Sequence, residues 1–153
     1  MVQVTDHPRT LEALHFACAL ACRKNSRVVL VKMVPVPHIG LLGTELGYLN
    51  FTGSDAEEIS GYQTIAEAYG VEVEICLFQY VSLVEAIEEV ADQLAAHVIF
   101  AALPHSPLPY GDRFQAWRLR HHFERHHCQL YLLAHEGKHA HWTPSILVSA
   151  AHQ

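Results

Sequence analysis

Residues 98–112 read VIFAALPHSPLPYGD, and the reading of the whole chain turns on them. Residues 98–103 form a continuous apolar run of strand length, the pattern of a strand covered on both faces of a parallel sheet. Pro104, Pro107 and Pro109 break the run, and a helical pattern starts near Gly111 and Asp112. Apolar strand, break and helix together make the repeating unit of an α/β protein.

The same alternation extends both ways. Upstream, MVQVT gives a short first strand, then Asp6-His7-Pro8 starts a helix with Asp as its cap and Pro in its first turn. Leu11, Leu14, Cys18 and Ala21 form one apolar stripe, and the basic Arg23 and Lys24 suit the helix end. RVVLVKMV is a second buried strand. Residues 35–53 make a long Pro- and Gly-rich connection, too greasy at Leu41, Leu42, Leu46, Tyr48, Leu49 and Phe51 to be a free linker.

Ser54 with Glu57 reads as a capping box, and the helix it opens closes on Gly70. VEVEICLF alternates like a half-exposed edge strand. Ser82 with Glu85 opens a further helix, its stripe Leu83, Ile87, Val90 and Leu94, with Glu85, Glu88, Glu89 and Asp92 toward water. Downstream of the opening stretch, Asp112 caps a helix over 113–127, and CQLYLL is the last strand. Right-handed crossovers turn this order into one doubly wound, five-stranded parallel sheet with helices on both faces. The domain is assigned to residues 1–134. Residues 135–153 are a tail, with SILVS suited to an added strand or a dimer arm.

Composition narrows the function. The chain has 153 residues, 50% hydrophobic and 17% charged, enough for one folded domain. Neither a secretory leader nor a membrane-length apolar run is read, so a cytoplasmic protein without direct membrane insertion is expected. The net charge is −6, and between Met33 and Asp112 there are twelve Asp and Glu but neither Lys nor Arg. A nucleic-acid partner, which needs a broad basic face, is excluded on that ground. Of the four cysteines, Cys18 and Cys22 share the first helix's apolar face with Leu11 and Leu14, and both read as buried structural thiols.

A family resemblance rests on the strand ending at Asp6, the helix TLEALHFACALA, and VVLVKMVPVP leading into a long loop. AEAYGVEVEICLF and VEAIEEVADQLAAHVIFAAL continue it. Over about residues 2–134 this sequence resembles the universal stress protein (UspA-like) family, with His7-Pro8 and Ala96-His97 where the family has Gly-Ser and Ala-Asp. The resemblance implies strand order 3-2-1-4-5, a crevice between the carboxyl ends of the first and fourth strands, and a homodimer formed through CQLYLL, with Leu130 and Leu132 facing the partner. In ATP-binding members an acidic residue ends the first strand and the end of the second strand lies near the adenine. Asp6 and Val34 match these positions. A Gly-x-x-Gly turn and a Gly-Ser/Thr pair then wrap the phosphates.

A phosphate cradle needs inward backbone N–H groups and the freedom of glycine. In ALPHSPLPYGD only Gly111 remains, and Asp112 adds negative charge at the helix start. The resemblance therefore implies a divergent, non-enzymatic regulatory or scaffolding domain with family-type ATP binding lost and no cofactor. The alternative is a sensor of ATP or AMP using Asp6, Val34, Leu103 and Gly111. A protein partner such as a membrane transporter is expected by family analogy alone. Ser106 lacks a nucleophile elbow, and no catalytic residue is assigned.

The last helix, RFQAWRLRHHFERHH, buries Ala116, Leu119 and Phe123 and leaves Phe114 and Trp117 on the far side with Arg118, His121 and Arg125. Exposed aromatics beside Arg read as a partner-binding face. His122 and His126 stand at i, i+4, a metal-binding spacing that His121, His127, Cys128, His135, His139 and His141 extend. Thirteen histidines make such pairs common, so the pair reads as a basic helix face and no metal is assigned.

Overall fold

The first helix starts where its cap predicts. In the computed structural model, which describes residues 1–42, 53–103 and 110–133, α1 (His7–Lys24) follows Asp6, whose carboxylate accepts the Arg9 amide at 3.2 Å. The helix ends on Asn25 in the left-handed region (φ 50°), whose N–H donates to the Ala21 carbonyl. Its buried side is Thr10, Ala13, Leu14, Ala17, Cys18 and Ala21. Three alanines on that stripe bring the helix axis close to the sheet.

The strands are β1 (Val2–Val4), β2 (Val28–Pro35), β3 (Val73–Tyr80), β4 (Val98–Ala101) and β5 (Gln129–Leu132). Between them run α2 (Gly53–Ala68), α3 (Leu83–Gln93) and α4 (Gly111–Arg125), with a 3-10 turn at Ile39–Leu41. All strands pair in parallel, in the order β3-β2-β1-β4-β5. The chain winds outward from β1 to β3, then returns over β1 to build β4 and β5. Because both directions keep the same crossover hand, the helices change face at the return. Val2, Leu30 and Phe100 pack with Ala13 and Leu14 of α1 and Tyr62 and Ala66 of α2. Ile99 and Ala101 pack on the other face with Ile87 of α3 and Leu119 and Phe123 of α4. Each fully buried Leu, Ile or Phe contributes about 1.5–3 kcal/mol.

Several local expectations are corrected. The α2 helix already includes Gly53, so Ser54 stands inside the helix and not at its cap. Ser82 occupies the cap of α3 but makes no side-chain cap bond; its carbonyl accepts the Ala86 amide instead. Helix α4 starts at Gly111, and Tyr110, not Asp112, is the residue before it. Cys18 is buried but Cys22 is exposed, because α1 presents Ala21 to the sheet at that turn. Glu88 does not face open water: its carboxylate accepts Arg118 of α4 at 3.0 Å. Arg118 thus belongs to the α3–α4 seam and not to the aromatic face. The tail from 134, most of the 35–53 connection and the proline stretch 104–109 lie outside the described residues.

Candidate functional site

Strand order reverses between β1 and β4, and a crevice outside the carboxyl ends of these strands is where an open α/β sheet takes its ligands. The two strands are in register at Val2 and Phe100, with the Phe100 amide donating to the Met1 carbonyl. Continued by one step, the ladder would send the Ala102 amide to the backbone carbonyl of Gln3. Instead it donates to the Gln3 side-chain Oε1 at 2.9 Å, in a buried site. The ladder therefore ends at the switch point, and a side chain of β1 satisfies the first amide beyond β4.

Asp6 stands just outside β1 with both carboxylate oxygens engaged. Oδ1 accepts the Arg9 amide, and Oδ2 pairs with Arg9 Nε at 2.6 Å. Behind it, the buried Thr10 hydroxyl accepts the Thr5 amide at 2.9 Å. His7 Nδ1 and the hydroxyl of the buried Tyr62 share a hydrogen bond of 3.1 Å, their rings stacked at 5.6 Å. Burial, with Glu58 adding to it, pushes the Tyr62 phenol up. Val34 lies near the end of β2, two residues beyond the level where Val4 meets Lys32. Leu103 is partly buried and packs against the α3–α4 core. Gly111 is an ordinary first helical residue; the left-handed φ of 67° falls on Tyr110. The four nucleotide-site candidates thus all belong to the carboxyl edge, but Asp6 is held by Arg9 and Leu103 by the core.

Gln3, Thr10 and Tyr62 were not singled out from the sequence. Gln3 had a signal: a lone amide in the apolar strand MVQV needs a buried partner. Tyr62 and Thr10 had none, since they meet only through the packing of α1 on α2.

Helix α4 buries Leu119 and Phe123 as its stripe predicts, while Ala116 is only half-buried. Phe114 and Trp117 are 62% and 59% exposed, with ring centroids 5.9 Å apart. His121 stacks parallel on Trp117 at 5.6 Å, and the Arg113 guanidinium lies 5.9 Å from the Tyr110 ring. β5 is a sheet edge, pairing β4 on one side. Leu130 is partly spent on its own core, while Leu132 is half-buried on the strand. The thiols of Cys18, Cys76 and Cys128 are all pushed up, by burial in each case, with Glu74 adding at Cys76 and Asp92 at Cys128. Raised thiols are poor nucleophiles and metal ligands, which fits structural roles.

A cavity of about 380 Å³ opens at the opposite, amino-terminal edge of the sheet, with Met1, Leu20 and Phe100 in its wall and Lys24, Arg27 and His97 at its polar side. Its size is that of small-ligand pockets. Arg27 is held by Glu74 at 2.8 Å.

Topology and switch point together define a doubly wound, all-parallel α/β domain. No protein-family model matches the sequence, and no curated protein matches it. Solved structures do. A universal stress protein crystallised in complex with cAMP aligns with 87% of this chain and 94% of its own, at 16% identity and a TM-score of 0.52. A protein of the universal stress protein family from Burkholderia pseudomallei aligns over 87% and 95%, at 20% identity and 0.54. The universal stress protein from Archaeoglobus fulgidus aligns over 87% and 90%, at 16% identity and 0.55. The fold of this chain is that of the universal stress proteins.

Proposed function

We propose that this chain is a stress-protein-like regulatory or scaffolding domain, non-enzymatic, that acts as a homodimer through β5 and has given up family-type ATP binding. The observation that carries this reading is the self-satisfied switch point. Gln3 takes the Ala102 amide, and Arg9 takes the Asp6 carboxylate, so the groups that would turn to a nucleotide already have partners. A proline-rich stretch where the family has its phosphate-binding glycines supports the same conclusion. The exposed Phe114–Trp117 face supports a role in holding a protein partner. Among the described residues no helix is long and apolar enough to cross a membrane, so a membrane transporter as partner would be met from outside the bilayer.

A second reading has its own support: one protein of this fold was crystallised with cAMP, a nucleotide that has no triphosphate to cradle. A sensor of AMP-like ligands would need Asp6 and Val34 more than the lost glycines. Thermal-shift titration with Mg-ATP, ADP, AMP and cAMP separates the two. The expected outcome is an unchanged Tm at millimolar nucleotide, with the chain sedimenting as a dimer. A rise that scales with nucleotide concentration would replace the scaffold reading with the sensor.

A further inference from the structure

The seam between α3 and α4 brings a carboxylate to a histidine pair that lies far from it in the sequence. His122 and His126 lie one turn apart on α4 with their rings stacked at 4.8 Å. Asp92, from the last turn of α3, reaches across to them. One ligand atom from each of the three lies within 4.8 Å of the others.

His122 is the informative member. Its Nε2 is buried and makes no hydrogen bond, yet lies 3.4 Å from Asp92 Oδ2. Phe123 holds the ring edge-on at 5.0 Å. A buried imidazole nitrogen this near a carboxylate oxygen, with no hydrogen bond between them, is an arrangement that a cation between the two resolves. The spacing suits one: metal–ligand bonds of about 2.0–2.1 Å in a tetrahedron put neighbouring ligand atoms about 3.3 Å apart.

We propose that Asp92, His122 and His126 form a binding site for a divalent transition-metal ion, of which Zn²⁺ is the natural probe. Two imidazoles and one carboxylate favour Zn²⁺ or Ni²⁺ over Ca²⁺ or Mg²⁺, which prefer all-oxygen shells. Among the described residues, these three alone form such a cluster. The Cys128 thiol donates to the Ala96 carbonyl at 2.8 Å. His121 is stacked on Trp117. The fourth position is left for water or an incoming donor. Bound there, the ion ties α3 to α4 on the β4 side of the sheet.

The test is calorimetric titration of the untagged full chain, first stripped with EDTA, with Zn²⁺. One ion per chain at roughly micromolar Kd is expected, with a rise in Tm that EDTA reverses. Asp92 and His126 are exposed, so Asp92→Asn and His126→Ala should fold like the parent, and each is expected to weaken binding roughly tenfold or more. His121→Gln and His127→Gln are expected to leave it unchanged. No binding by the parent overturns the proposal. So does binding that survives Asp92→Asn undiminished, because the ion is then held by other histidines.

Discussion

The two edges of this sheet differ in how their described side chains are arranged. At the carboxyl edge, where the strand order reverses, the described groups pair among themselves: Gln3 with the Ala102 amide, Arg9 with Asp6, Tyr62 with His7. At the amino edge, where helix ends and strand starts usually close tightly, a cavity of about 380 Å³ remains. The contrast teaches that topology fixes where a ligand can be met, while a few side chains decide whether there is room or any unpaired group to meet it.

Three perturbations test that contrast. The largest should come from Phe100, buried in the wall of the amino-edge cavity and stacked on Tyr131 at 4.9 Å. Phe100→Ala is expected to cost about 3–5 kcal/mol in denaturant unfolding while enlarging that cavity. A loss below about 1 kcal/mol would mean that the two helices of that face collapse into the space.

At the other edge, Gln3→Ala removes the acceptor of the Ala102 amide and is expected to cost about 1–3 kcal/mol. If the switch point is closed by this bond, the variant should also gain a nucleotide-dependent rise in Tm that the parent lacks. Loss of stability without that gain would show that Gln3 braces the sheet rather than guarding a crevice.

The smallest effect concerns the Met1 amino group, which donates to the Val98 carbonyl at 2.8 Å beside the amino-edge cavity. Burial lowers its pKa from 8.0 to about 6. Between these values the unfolded chain binds more protons than the folded one, so stability is highest above pH 8 and falls as pH drops toward 6. By pH 7 the loss is about 1 kcal/mol. Chemical unfolding at pH 9 and pH 7, compared with Nα-acetylated chain, isolates the effect; an unaltered difference after acetylation would assign the slope to other groups.

How much of this was legible in the sequence depends on distance along the chain. The alternation of apolar runs and helical stripes matched the five strands and four α-helices among the described residues but not the 3-10 turn at Ile39–Leu41, and the Asp6 cap was right because its partner, Arg9, is three residues away. The Ser82–Glu85 spacing obeyed the same local rule and still failed, since the serine side chain makes no cap bond. Contacts between elements stayed hidden. Arg118 with Glu88, Asp92 with His122 and Gln3 with Ala102 join residues whose pairing is decided only by how helices and strands pack. A stripe says which side of a helix is buried, but not which residue of another element it meets.

The brevity of β1 has a consequence for how the molecule comes together and apart. β2 and β3 are in register from Val28 with Val73 to Pro35 with Tyr80, whereas β1 and β4 meet at Val2 and Phe100 alone. That single match closes a loop of nearly the whole domain, and its entropy must be lost before the contact returns any energy. The centre of the sheet is therefore its thinnest seam. Local opening should run along it and part the molecule into a β1–β3 half and a β4–β5 half, breaking the Met1 bonds to Val98 and Phe100 and the Gln3–Ala102 bond.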